Sequence, residues 1–524
     1  MSDTDERVIR VPRGHDALRD AATGDTVAVH EVGPTGVGAV DPLITATAAG
    51  ETAFYVDPGP DRVRSAAAAL ADGESAGSAG SPDAVVDGDG WTDALPRPDL
   101  QGLDRERHLL AGCGWRRPAS PEDHDSAGGF VDADPDTVLD AAADLRGRGW
   151  GDWRRDEPVG PLWERVADSD TADPALVVNA HGTDRGTSAD ALLLASAPFE
   201  VLEGADAVAR AVGASEVVVY VNEADEAAVE TVREAIEAYP DPAAPMSVVT
   251  GPPVYRAAEP TMALEAIGGA DRLEARLRRP DALPTLGRGR TRDGRPALVH
   301  TARTLGHLAL SLRQNGDPTR LVTVAGDVES PATVELAEEE PLSAAVEAVE
   351  PAGEIDAACV GGRFGGLTDS LDVAADPDAL ADADLGTDGR VELLAADRCV
   401  LEFVGRRAQF AADANCGRCV PCREGATQLA DLLRDVYDGD YDAAGVEELT
   451  RVMDGTSACD FGVDAARPAR TAVARFDDTL AAHADGRCPA GSCFDGETSN
   501  DAAGDSTTAA AATDGGEPAP EVPR

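Results

Sequence analysis

At 524 residues the chain has room for three or four modest domains, each able to bury its own core. Its formal charge is −52, and all 45 basic residues are arginine, because the sequence contains no lysine. No basic stripe exists to meet phosphates and no apolar run approaches the roughly 18 residues that span a bilayer, so a nucleic-acid partner and a direct membrane span are both excluded as expectations.

Residues 1–100 alternate short apolar stretches with Gly/Pro/Asp-rich turns, and Asp72–Gly90 reads as a linker. From 104 to 315 the pattern is α/β: Ala175–Val178 and Val217–Val221 are short aliphatic runs, and Ala227–Ala238 has the 3.6-residue spacing of an amphipathic helix. Residues 319–375 form a small β-rich module, with Arg320–Ala325, a turn at Gly326-Asp327, Thr333–Leu336 and the glycine cluster Gly361-Gly362-Arg363-Phe364-Gly365-Gly366. Between 395 and 485 the spacing turns helical, predicting helices over 397–413, 423–437, 443–453 and 464–483 joined as in a bundle. The tail, 495–524, is Ala/Thr/Gly/Asp/Pro-rich and acidic, a composition that predicts disorder.

Two readings compete for the charge: a cationic partner, or a cytoplasm salty enough to screen self-repulsion. The acidic residues are spread over the whole chain, which favours the second, halophilic reading. The N-terminus, Met1-Ser2-Asp3-Thr4-Asp5-Glu6, is acidic and polar, unlike a signal peptide, so a cytoplasmic location is expected. In that compartment the nine clustered cysteines point to metal rather than to disulfides.

The densest run is Asn415-Cys416-Gly417-Arg418-Cys419-Val420-Pro421-Cys422-Arg423-Glu424-Gly425. Three thiolates at two-residue gaps can wrap three irons of one cubane, while three cysteines within seven residues are awkward for one tetrahedral zinc. Gly417 relieves crowding at the turn, Pro421 stiffens the last approach, and the following helix turns its backbone N–H groups toward anionic sulfur. Cys459, beyond two expected helices, is the candidate fourth ligand of a 4Fe–4S cluster. A second group, His483, Cys488 and Cys493 with Cys399, has residue types and spacing that suit a structural zinc or reduced thiols. Cys113 and Cys359 read as packing thiols.

The run Cys-Gly-x-Cys-x-Pro-Cys-Arg-x-Gly resembles the cluster motif of the NADH-oxidising flavoprotein subunit of respiratory complex I and of its relatives in NAD-linked hydrogenases and formate dehydrogenases. Asp397-Arg398-Cys399-Val400 and Thr456-Ser457-Ala458-Cys459-Asp460-Phe461-Gly462 resemble its flanks. The resemblance, over about 104–493, implies an α/β fold class. Its parts would be a Rossmann-like FMN-type domain (104–315), a ubiquitin-like β-grasp module (319–375) and a C-terminal four-helix iron–sulfur domain (395–485), after a degenerate thioredoxin-like N-terminus (1–100). In that N-terminal part Pro34 and Val37 stand where relatives hold a 2Fe–2S cluster with cysteines.

Carried over by position, the resemblance implies cofactor contacts at Gly147, Arg148 and Gly149, at Asn179, Asp184, Gly186 and Thr187, and at Glu259. The chain departs from the family pattern at Trp150 (a glycine there), Leu162 (a lysine), Pro260 (a glutamate) and His300-Thr301 (two asparagines). His181 and His300 read as loop or core histidines. The implied activity is electron transfer from NADH via FMN to the 4Fe–4S cluster. The implied partners are other oxidoreductase subunits carrying further redox centres, at the periphery of a membrane complex. The alternative is a non-catalytic 4Fe–4S relay or assembly subunit without FMN or NADH.

Overall fold

The computed structural model describes residues 7–493 except 25, 89–92, 169–172, 183–187, 278–282, 287–294 and 314–318. The expected disordered tail, 495–524, lies outside the described residues. The fold is mixed α/β, with three five-stranded sheets followed by a helical region.

The first sheet runs β1 (Val8–Pro12), α1 (Asp16–Ala22), β2 (Ala28–Val32), β3 (Leu43–Ala48), β4 (Glu51–Val56), α2 (Pro60–Ala71) and β5 (Ala84–Asp87), in the order β2-β1-β3-β4-β5. Ala49 and Gly50, both at positive φ, close the β3–β4 hairpin in the left-handed two-residue turn whose twist suits the strands. Strand β5 corrects the expectation of a linker over Asp72–Gly90. Its four residues pair antiparallel with β4 as an edge strand, too short to stand out in Gly/Ser/Ala-rich surroundings.

Three short helices, α3 (Pro121–Ser126), α4 (Pro135–Ala142) and α5 (Gly160–Ala167), lead into the second sheet. It comprises β6 (Ala175–Ala180), α6 (Ala189–Ser196), α7 (Pro198–Val212), β7 (Glu216–Asn222), α8 (Glu226–Ala238), β8 (Met246–Gly251), α9 (Pro260–Ile267), β9 (Thr285–Leu286), β10 (Arg295–Thr301) and α10 (Ala302–Leu312). The order is β8-β7-β6-β10-β9, parallel except for β9. Every residue of β6 is buried, as expected of a central parallel strand covered on both faces. The chain leaves β6 toward β7 and β8 and returns on the other side as β10, so a crevice opens beyond the C-terminal ends of β6 and β10.

The third sheet contains β11 (Thr319–Gly326), β12 (Ala332–Ala337), α11 (Ser343–Val346), β13 (Ile355–Val360), β14 (Gly366–Thr368), α12 (Pro377–Asp382) and β15 (Arg390–Ala395), in the order β12-β11-β15-β13-β14. Because β15 is the central strand, this module runs to 395 and not to 375. The Asp/Ala-rich stretch around α12 interrupts the strand pattern in sequence and hides the continuation.

The helical region holds α13 (Val400–Ala414), α14 (Val420–Asp435), α15 (Ala443–Thr456), α16 (Asp460–Asp464) and α17 (Arg467–Ala484). The expected single helix over 464–483 is preceded by the separate short α16, with Pro468 in the first turn of α17, where a missing N–H costs nothing. Among the described residues no helix is long and apolar enough to cross a membrane.

Candidate functional site

Helix α13 stops at Asn415, whose side-chain amide donates to the carbonyls of Ala411 and Ala412 at 2.9 and 2.7 Å. Its Oδ1 accepts the Gly417 N–H at 2.9 Å, and Gly417 itself sits at φ +75°. That turn carries the chain from Cys416 to Cys419, the residue before α14, and the Arg423 guanidinium closes it by donating to the Gly417 carbonyl at 2.8 Å. Cys422 falls in the first turn of α14 and is buried, as is Cys459 at the start of α16; Cys416 and Cys419 are half-buried. A Cβ on Gly462 would lie 2.8 Å from Cys422 Cβ and 2.6 Å from Ser457 Oγ, so glycine is what lets the Cys459 loop pack onto Cys422.

These thiols act on one another. Hydrogen bonding to the Cys422 thiol draws Cys419 down to about 5, aided by a backbone N–H at Ala458. Cys422 is raised by the same bond and by burial, with Cys459 and Cys416 adding to it. Burial, then the Glu259 carboxylate, raises Cys459. The four expected ligands are therefore brought together.

The crevice beyond β6 and β10 is lined by Trp150, Gly151, Asn179, His181, Thr301, Arg303 and Asp388, and its free volume is about 30 Å³. Arg303, at the start of α10, crosses it. Its guanidinium meets Asp190 at 2.9 and 3.1 Å and Asp388 at 3.1 Å. A Cβ on Gly149 (φ +83°) would fall on that guanidinium. Burial would lower the Arg303 guanidinium, but Asp190 and Asp388 hold it above its ordinary value.

The expected cofactor residues take several positions around this crevice. Asn179 lines it, with Nδ2 donating to the carbonyls of Gly151 and Ala258 at 2.8 and 2.9 Å. The Arg148 N–H donates to Thr304 Oγ1 at 2.8 Å, and its side chain pairs with Glu338 at 3.2 Å. Burial and the neighbouring Arg320 bring Arg148 down to about 10, and its Nε and Nη1 have no hydrogen-bond partner among the described residues. Gly147 lets the loop fold back on Asp152 and Arg154. Glu259 caps α9, accepting the Thr261 and Met262 N–H groups at 3.0 Å each. Asp184, Gly186 and Thr187 lie outside the described residues.

This set suits an anionic aromatic cofactor, with bare backbone at Gly149 and two buried guanidinium groups. His300 stays in the core: its Nε2 accepts from Trp163 Nε1 at 2.8 Å and Nδ1 donates to Asp152 at 3.1 Å. His181 stacks on Tyr220 and bonds the Pro252 carbonyl at 2.9 Å.

Trp150, where the family pattern has glycine, turns its indole toward the cluster loop. It packs on Tyr255 with ring centroids 4.7 Å apart, and Nε1 donates to Asp464 at 2.9 Å. Asp464 also accepts from Arg155 and Arg467, each at 2.7 Å. Tyr255 meets Phe461 edge-on at 6.0 Å. The glycine loop and the fourth-ligand loop are thus one bonded unit. Sequence reasoning missed Asp190, Asp388 and Asp464 because each acts from a different segment with no local motif.

Cys399, His483, Cys488 and Cys493 also converge, with ligand atoms all within 4.8 Å of one another. Cys113 and Cys359 are fully buried, as expected of packing thiols.

Comparison with known proteins places these features. Residues 402–483 match the NADH-ubiquinone oxidoreductase-F iron–sulfur binding region, and 141–286 match the Nuo51 FMN-binding domain. The NADH-quinone oxidoreductase F subunit of Streptomyces coelicolor is 27% identical over 387 residues, covering 66% of this chain and 82% of that protein. Its Aquifex aeolicus counterpart is 24% identical, covering 66% and 85%. An NAD+-reducing [NiFe]-hydrogenase in the H2-reduced state shares the fold, with a TM-score of 0.62 at 22% identity, over 91% of this chain and 85% of its own. The FMN-binding match does not favour the alternative of a relay without flavin. The chain is thus similar to NADH-quinone oxidoreductase F subunits in two separate regions, one matching an FMN-binding domain and one an iron–sulfur binding region.

Proposed function

We propose that the protein is the electron-input subunit of a larger oxidoreductase, passing electrons from NADH via FMN to a 4Fe–4S cluster and on to a partner subunit with further redox centres. The observation that carries this reading is the Asp464 joint, where the loop of the FMN-type region and the loop of the fourth cysteine share one buried carboxylate. FMN, when bound, accepts hydride from NADH and releases electrons singly. Asn179, Gly149, Arg148 and Arg303 would hold it; Cys416, Cys419, Cys422 and Cys459 would hold the cluster.

Within this reading each side chain has a definable task. Trp150 and Tyr255 exclude water between the crevice and the cluster loop, which lowers the dielectric around the cluster. Arg303 offsets part of the charge of Asp190 and Asp388, and together with Arg148, whose Nε and Nη1 have no hydrogen-bond partner among the described residues, it would meet a phosphate bound at this crevice. A larger cavity of about 420 Å³, lined by Gly36, Asp225 and Thr333, shares Ser188 and Thr323 with the narrow crevice and offers space for a dinucleotide.

The finer divisions follow the same family. The first sheet corresponds to a thioredoxin-like domain without cluster cysteines, the second to a Rossmann-like FMN domain, the third to a β-grasp module and the helices to the iron–sulfur domain. A cytoplasmic place beside a membrane complex, in molar salt, completes the assignment.

Anaerobically purified protein in molar salt is the test. The reading expects about one flavin and about four irons per chain, with NADH-dependent reduction of ferricyanide. Iron without flavin and without NADH oxidation overturns it.

A further inference from the structure

Apart from the cluster cysteines, the helical region gathers a second set of metal-ligating side chains. Cys399 ends the segment after β15 and caps α13, where its Sγ accepts the Glu402 N–H at 3.3 Å. His483 lies in the last turn of α17, 84 positions along the chain, with Nε2 only 3.2 Å from Cys399 Sγ. Its Nδ1 faces the Thr479 carbonyl at 2.7 Å, which fixes Nδ1 as the protonated nitrogen and leaves the Nε2 lone pair directed at the cysteines.

The chain after α17 then folds back. Gly486 at φ +74° accompanies bonds from the Gly486 and Arg487 N–H groups to the His483 and Ala482 carbonyls, at 2.9 Å each. Gly491, also at φ +74°, donates to the Cys488 carbonyl at 3.0 Å and so brings Cys493 back beside Cys488. Both turns serve one end, since all four ligand atoms lie within 4.8 Å of one another. Cys399 and His483 are buried, and Cys488 and Cys493 close the solvent side.

We propose that Cys399, His483, Cys488 and Cys493 bind one structural zinc ion, separate from the iron–sulfur cluster. Three thiolates and one neutral imidazole form a closed tetrahedral set that leaves no open position for a substrate, and they suit a borderline-soft d¹⁰ ion. The Glu402 N–H and the Thr479 carbonyl supply the outer bonds that orient such ligands. The ion acts as a clasp. It joins the first residue of the bundle to the last turn and the segment beyond, so the chain carrying all four cluster cysteines is a loop closed at the zinc.

The experiment uses the full-length protein, purified anaerobically in molar salt, with zinc and iron counted by inductively coupled plasma mass spectrometry. The expected result is about one zinc beside about four irons per chain. Cys488→Ser and Cys493→Ser should each lose zinc while retaining most of the iron, and Cys416→Ser should do the reverse. Protein produced with cobalt(II) in place of zinc should show the intense visible absorption of tetrahedral thiolate–cobalt, absent from Cys488→Ser. A full iron complement with no zinc, a fifth iron in zinc's place, or zinc retained in the Cys488→Ser, Cys493→Ser double variant would each overturn the assignment. If the variants fail to fold, the metal count and cobalt spectrum of the unaltered protein decide it.

Discussion

Asp464 accepts from an indole N–H and two guanidinium groups in a site closed to water, and it carries more consequence than any surface ion pair in the chain. Burial alone would raise its carboxyl, but Arg155 and Arg467 pull it well below the usual carboxylate range. Replacing it by alanine strands Arg155, itself buried, so Asp464→Ala should cost about 3–5 kcal/mol in denaturant unfolding. The sign of the pH effect follows from the lowered value: the stabilisation is complete above the unfolded carboxyl pKa near 3.8 and fades as pH falls toward the folded one. A melting series in acid should therefore be shallower for Asp464→Asn than for the unaltered chain. Gly462 is the second sensitive position. A methyl group there meets Cys422 Cβ, so Gly462→Ala should reduce iron per chain on metal analysis while the first two sheets still fold.

The N-terminus of α10 and the loop before Trp150 form the joint on which the crevice depends. Arg303 pairs with Asp190 at the start of α6 and with Asp388 just before β15, so one side chain ties three elements together. Arg303→Ala leaves two carboxylates buried without their cation and should lower thermal stability by about 3–5 kcal/mol. It should also weaken FMN relative to riboflavin in fluorescence titrations, since only FMN carries the phosphate; an unchanged ratio would remove Arg303 from the phosphate site. This joint was not legible in the sequence, because its carboxylates lie 113 and 85 positions from Arg303 and neither belongs to a motif. The candidate cluster cysteines stood out in the sequence for the opposite reason: three of them fall in one local turn, and the fourth in a loop with its own pattern. Helices α13 to α15 were also readable from their apolar spacing. Strands β5 and β15 were not, since four to six residues in Asp/Ala/Gly-rich surroundings give a periodicity too short to separate from a turn.

At the scale of the molecule, 97 acidic residues face 45 arginines, and the buried pairs engage only part of that excess. The rest is repulsion among exposed carboxylates, and its reach is set by the solvent. The screening length is about 10 Å at 0.1 M salt and about 3 Å at 1 M, so neighbouring surface acids feel one another in the first medium and scarcely at all in the second. Pairs such as Arg303–Asp190 are shielded by protein and change little. Raising KCl from about 0.1 M to about 1 M should therefore raise the melting temperature, with most of the gain over the first few tenths molar, where the screening length shrinks fastest. An uncharged osmolyte at equal osmolarity should not reproduce the gain, because exclusion from the surface leaves charge repulsion in place. A melting temperature indifferent to KCl would mean that the acidic surface is not under strain by itself, and the charge would then have to be explained by a cationic partner, which co-purification at low salt would reveal.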